Sequence, residues 1–160
     1  VLEALSDFTN GLPGWAQWLG IMAISAIPFV ESYFGSVIGI LAGVHPAVAI
    51  GAAIVGNAVS MLVFVLVADA ARKKALGGRE TAQEGSPRRQ RLKRMFDRFG
   101  VPGVSILGQT LLPSQITSAA MVSFGASRNA VILWQCISIV LWGVAFGLLA
   151  LGGAELLSLR

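Results

Sequence analysis

Four apolar stretches separated by short polar or proline-containing breaks set the pattern of this chain, and they fall into two kinds. Residues 46–71 and 128–154 are clean runs, each long enough for one transmembrane helix. Residues 13–43 and 101–126 are equally apolar, but a proline interrupts each near its middle, in Ile27-Pro28-Phe29-Val30-Glu31-Ser32-Tyr33 and in Leu111-Leu112-Pro113-Ser114-Gln115. The arms on either side of Pro28 would be roughly 21 Å long at about 1.5 Å per residue, short of a hydrocarbon core of about 30 Å. Two short arms around a proline predict a re-entrant hairpin; the alternative is one long, kinked span.

The flanks fit this division. Residues 1–11 have the mixed spacing of a short interfacial helix, Leu12-Pro13-Gly14 punctuates, and Trp15 and Trp18 read as interfacial anchors. His45-Pro46 starts the first clean span, with His45 as a helix-start residue at the outer surface. Residues 75–90 read as a flexible loop. From Arg91 to Phe99, Leu92, Met95, Phe96 and Phe99 share one side and Lys93, Arg94, Asp97 and Arg98 lie elsewhere, which predicts a basic amphipathic helix on the inner leaflet. Gly35, Gly39 and Gly43, and again Gly143 and Gly147, have the four-residue spacing that lets helices approach closely. Asp69 and Arg72 are placed for an i,i+3 ion pair. Tyr33, Trp134 and Trp142 suit packing or the interface.

After Gly100 the order begins again: Val101-Pro102-Gly103 echoes Leu12-Pro13-Gly14, then a broken run, then a clean span. The expected fold is therefore an all-α integral membrane protein forming a single membrane domain over 1–160. Repeat one covers 1–74, with hairpin 13–43 and span 46–71. A basic loop follows over 72–98. Repeat two covers 91–160, with hairpin 101–126 and span 128–154. The two spans run in opposite directions, so the hairpins enter from opposite sides, an inverted-topology repeat of the kind that places transport sites near the midplane at broken helices. A four-span bundle, in which each broken segment crosses, is the alternative.

Composition and charge strengthen the membrane reading. The 160 residues are 55% hydrophobic and 12% charged, with a mean hydropathy of +0.74. Ten of the twelve Lys and Arg lie between Arg72 and Arg98 against three acids, a local charge of +7. A basic run between apolar blocks is expected on the cytoplasmic side and against anionic lipid, not on nucleic acid. The expected location is the cytoplasmic (plasma) membrane of a bacterium. The first ten residues carry Glu3 and Asp7 without a basic stretch, so no cleavable leader is expected. A single Cys136 and a single His45 exclude an internal disulfide and most zinc or triad chemistry, and no cofactor, metal or enzymatic role is expected. With so few helices per chain, a homo-oligomer is expected.

The segments Ile27-Pro28-Phe29-Val30-Glu31-Ser32-Tyr33-Phe34-Gly35, Phe99-Gly100-Val101-Pro102-Gly103 and Leu112-Pro113-Ser114-Gln115-Ile116-Thr117 resemble the small multidrug export protein family, a compact relative of the DedA/VTT membrane proteins. That resemblance implies two oppositely oriented re-entrant hairpins, each followed by a transmembrane helix, and transport or lipid translocation driven by an ion gradient. Glu31 matches the carboxylate that the DedA group carries near the prolines of its first hairpin. The arginine that the same group carries before the second proline has no counterpart here, where Gln109 and Thr110 precede Pro113.

The candidate chemistry centres on Glu31, the only formal charge between Asp7 and Asp69. A carboxyl at membrane depth is costly as an anion, so Glu31 is expected to rest neutral and exchange a proton as the site meets each side in turn. Pro28 and Pro113 mark the hairpin tips. Gln109, Thr110, Ser114, Gln115, Thr117 and Ser118 form an uncharged polar patch that either lines a substrate path or bonds backbone freed by the break. Asn57 is placed to bond a tip or a neighbouring helix, and Arg128 to contact a headgroup or anchor the interface. The expected function is proton-coupled translocation of an amphiphile: a lipid, a lipid-linked phosphate or a hydrophobic drug. The alternatives are a passive lipid scramblase and a non-transporting membrane scaffold.

Overall fold

The computed structural model describes residues 2–77 and 87–158, with side chains over 4–75 and 87–153. The described residues are helical throughout their regular structure: α1 (Leu2–Asn10), α2 (Gln17–Ser25), α3 (Glu31–Leu41), α4 (Pro46–Gly77), α5 (Pro87–Leu107), α6 (Ser114–Phe124) and α7 (Arg128–Ser158). One-turn 3-10 segments lie at Gly14–Ala16 and Gly108–Thr110. Of the loop expected over 75–90, residues 78–86 lie outside the described residues.

Two helices are long and apolar enough to cross a membrane, Pro46–Ala75 of α4 and Arg128–Gly153 of α7, with mean hydropathies of 2.4 and 2.1 in their most apolar windows. Only 33% and 22% of those windows are buried. A core helix of a water-soluble protein would be mostly covered; here Val59, Val63 and Val67 on α4 and Leu133, Leu141 and Leu149 on α7 are more than half exposed. Apolar surface of that extent calls for a nonaqueous neighbour. The arms of the broken runs are much shorter. At about 1.5 Å per residue, α2 and α3 are roughly 14 Å and 17 Å long.

The chain forms two compact units, residues 1–60 with 139–160 and residues 61–138, so α4 and α7 each contribute to both. In the first unit α2 and α3 pack antiparallel across the turn at Pro28. A Cβ on Gly35 would collide with Ser25 and one on Gly39 would meet Ile21, so contacts that advance along α3 retreat along α2. The same glycines face Ala53 and Ala49 of α4. Small side chains at these positions are what let three helix backbones come together. Gly43, the third in that row, does something else. It has φ +79 with nothing near its would-be Cβ, and it ends α3 in a left-handed turn closed by Gly43 N–H to Ile40 O (3.0 Å) and Val44 N–H to Gly39 O (3.0 Å). Two side chains pin the hairpin: Ser60 Oγ donates to Ala26 O (2.8 Å) and Ser32 Oγ to Ile139 O on α7 (2.9 Å). Tyr33, Phe34 and Trp142 pack on Phe146 at centroid separations of 5.4–6.3 Å, and Tyr33 on Phe34 at 4.8 Å.

In the second unit α5 starts at Pro87, earlier than the amphipathic pattern from Arg91 predicts, and is broken at Gly100 (φ 64, ψ −166). Pro102 falls in the first turn after that break, where its missing N–H removes no intrahelical bond. Leu92 is buried and Met95 and Phe96 half-buried, whereas Phe99 stays exposed beside the break. Phe96 packs on Phe124 (5.8 Å), and Met95 and Thr117 both approach Gly108, so the chain doubles back here too. At the end of α4 the partners of Asp69 are Lys73 (2.8 Å) and Arg128 (3.4 Å), not Arg72: the i,i+4 lysine and the first residue of α7 reach the carboxylate better than the i,i+3 arginine.

The two halves of the sequence share a parts list. α3 and α6 are each 11 residues, each ends at a left-handed glycine (Gly43, Gly125), and each is followed within five residues by a helix of 31 or 32 residues.

Candidate functional site

Glu31 is fully buried at the first position of α3. The sequence places it there because α2 stops at Ser25 and Pro28 cannot carry the helix on, so the next helix restarts after a five-residue turn. That turn is closed by Val30 N–H and Glu31 N–H to Ile27 O (3.1 and 3.3 Å), and the Tyr33 hydroxyl donates to Phe29 O (3.2 Å). Phe29 and Glu31 both adopt positive φ, 75° and 53°. Side chains other than glycine rarely do so, at a cost of about 1–3 kcal/mol each, and such strain persists only where the surroundings impose it. A helix N-terminus favours negative charge, so the position stabilises the anion that burial disfavours. The two effects oppose each other at one carboxyl.

The packing register adds Asn57. Gly39 faces Ala49 and Gly35 faces Ala53, one helical turn apart in opposite directions along α3 and α4. The next turn brings Glu31 level with Asn57, and both are fully buried. Beside Asn57, Gly56 lies so close to α2 that a Cβ would overlap the Met22 carbonyl. Pro28 is half-buried in the turn. The register thus sets Glu31 and Asn57 at the same level of the first unit, with Pro28 three residues before Glu31 in the adjoining turn.

The second unit gathers the uncharged patch. Pro113 is the N-cap of α6, and Ser114, Gln115, Thr117 and Ser118 are fully buried. Much of their bonding is local. Thr117 Oγ1 lies 3.2 and 3.1 Å from the Pro113 and Ser114 carbonyls, Ser118 Oγ donates to Gln115 O (3.0 Å), and Ser114 Oγ lies 3.4 Å from Gln115 Oε1. These hydroxyls back-bond to carbonyls of the preceding turn, of which Pro113 O already accepts from Thr117 N–H (2.9 Å). Thr110 is exposed and donates to Leu107 O (2.7 Å), so it does not join the buried set. Gln109 does: it is 8% exposed, and neither atom of its amide has a bonding partner.

Sequence reasoning missed Gln135 and Ser138. Gln135 Nε2 donates to Thr117 Oγ1 (3.1 Å), while Gln135 Oε1, Ser138 Oγ and Ser105 Oγ are buried without a partner. A glutamine and a serine inside the apolar run 129–154 were the available signal. Native interiors leave few polar groups unsatisfied, so four such residues in one unit call for an explanation. Arg128 stands apart from this set, 43% exposed and paired with Asp69. His45 is exposed, and its carbonyl accepts from Val48 and Ala49 at the start of α4. Among the described residues no cluster of His, Cys, Asp or Glu could hold a metal ion.

Comparison with protein-family models, curated proteins and solved structures finds no match to this chain.

Proposed function

We propose that this chain is an integral membrane transporter of the small multidrug export type, moving an amphiphile (a lipid, a lipid-linked phosphate or a hydrophobic drug) across the cytoplasmic membrane with a proton exchanged at Glu31. The observation that carries the reading is the buried carboxyl of Glu31 at a strained helix start, level with Asn57. A glutamine would serve a purely structural role without the desolvation cost of an acid. The shared parts list of the two halves of the sequence supports an inverted repeat: arms too short to span on their own become two re-entrant hairpins, and α4 and α7 become the spans. The unsatisfied amide of Gln109 and its neighbours supports a polar route for the substrate's head. The charge pattern supports a cytoplasmic position for the basic segment 72–98, and the small helix count supports a homo-oligomer as the working unit.

The test is reconstitution into liposomes with an imposed pH gradient and a panel of labelled lipids and cationic dyes, comparing wild type with Glu31→Gln. Gradient-dependent movement is expected in wild type and lost in the variant. Equal movement by both without a gradient would mean passive scrambling, with Glu31 structural. No movement by either protein would favour a scaffold that recruits partners through the basic first half of α5, whose Arg88, Arg91, Arg94 and Arg98 are exposed.

A further inference from the structure

We infer that the open groove between α4, α5 and α6 binds an anionic phospholipid, with an acyl chain on its apolar surface and the phosphate at Arg88 and Arg89. The groove encloses about 420 Å³, within the range of roughly 300–1,000 Å³ typical of small-molecule sites. Its surface is formed by Phe64, Leu92, Leu112, Ile116, Ala119 and Ala120. Leu92 is buried beneath it, whereas Phe64 and Ile116 remain 41% and 39% exposed, apolar area that a soluble ion would leave uncovered.

The polar end is of one sign. Arg88, Arg89 and Ser123 complete the lining, and no acid is among the described residues that form it. Arg89 is held in place by stacking on Phe124 (4.9 Å) and by donating to Ser123 Oγ (3.0 Å), and Lys93 Nζ also lies over the Phe124 ring (5.6 Å). Arg88 is exposed and has no ion pair with a described residue. The acid on the same helix, Asp97, is bonded to Lys93. Guanidinium groups suit phosphate, and two of them disfavour a choline headgroup. The direction of the groove matches a lipid: Arg89 bonds Ser123, two residues from Gly125, whose would-be Cβ is 3.6 Å from Arg72 Nη2 at the charged end of α4, whereas Phe64 lies eight residues, about 12 Å of helix, nearer the apolar middle of α4 than Arg72. This inference rests on the membrane placement proposed above but on neither transport nor Glu31.

Native mass spectrometry of the full chain in detergent tests it, with dioleoylphosphatidylglycerol and dioleoylphosphatidylcholine as probes and glycerol phosphate as a soluble competitor. Wild type is expected to retain the anionic lipid in preference to the zwitterionic one. The double variant Arg88→Gln/Arg89→Gln should weaken that retention by about tenfold or more, and Arg91→Gln/Arg94→Gln, exposed on the same helix but outside the groove, by no more than about twofold. Ile116→Trp, which fills the groove, should lose the lipid while both arginines remain. Thermal unfolding of each variant, read by tryptophan fluorescence, keeps loss of fold apart from loss of binding. Equal losses in the two arginine pairs would reduce the effect to diffuse surface attraction and overturn the assignment. Displacement by glycerol phosphate would make it a free-phosphate site, and a dimer lost in Arg88→Gln/Arg89→Gln with lipid retention unchanged would make the groove an interface between copies; either result also overturns it.

Discussion

At Glu31 a single residue combines three features that rarely coincide: complete burial, a positive φ, and a place at the start of a helix. Its acidity and its position beside a proline were legible in the sequence, but the backbone strain and the alignment with Asn57 were not, because both depend on how α3 and α4 slide past each other. Gly56 was equally hidden. Nothing in its local spacing marks it, yet it is where α4 meets the Met22 carbonyl of α2. Gly56→Val should lower stability by about 1–3 kcal/mol through forced displacement of a backbone that has no room to yield. Gly51→Val, where a Cβ meets nothing, should cost less than about 1 kcal/mol. Thermal unfolding of the detergent-solubilised protein measures both; equal effects would remove Gly56 from the list of close approaches.

Among the elements, the two long helices were legible from hydropathy alone, and their starts at Pro46 and Arg128 agree with the expected spans. The breaks were legible because proline and glycine act locally. The roles within a glycine row were not: Gly35 and Gly39 make room for neighbours, whereas Gly43, at the same spacing, ends the helix. A four-residue period cannot tell packing from capping, since both favour the absence of a Cβ. The difference predicts opposite signs for one substitution. Gly43→Ala should destabilise by about 1–2 kcal/mol, the cost of a left-handed conformation. Gly51→Ala, in the interior of α4, should stabilise by about 0.5–1 kcal/mol. Denaturation midpoints that move together would show that capping does not set the end of α3. The ion pairs at Asp69 were half legible: the i,i+4 lysine is a local partner, but Arg128 is 59 residues away and comes only with the fold.

For the whole molecule, the two-span and four-span readings differ in one observable, the side of the membrane on which each broken segment begins and ends. In a Cys136→Ser background, Gly14→Cys and His45→Cys should react with an impermeant maleimide from the same side, and Phe99→Cys and Ser127→Cys together from the opposite side. Labelling of the members of either pair from different sides would favour four spans. The division of the long helices between the units bears on how the chain is made. The second unit is continuous, residues 61–138, but the first needs residues 139 onward to supply the acceptor for Ser32 and the glycine faces at Gly143 and Gly147. On the ribosome, the unit that is begun earlier of the two is therefore the later to be completed. Until α7 emerges, the hairpin that carries Glu31 waits without its final neighbour.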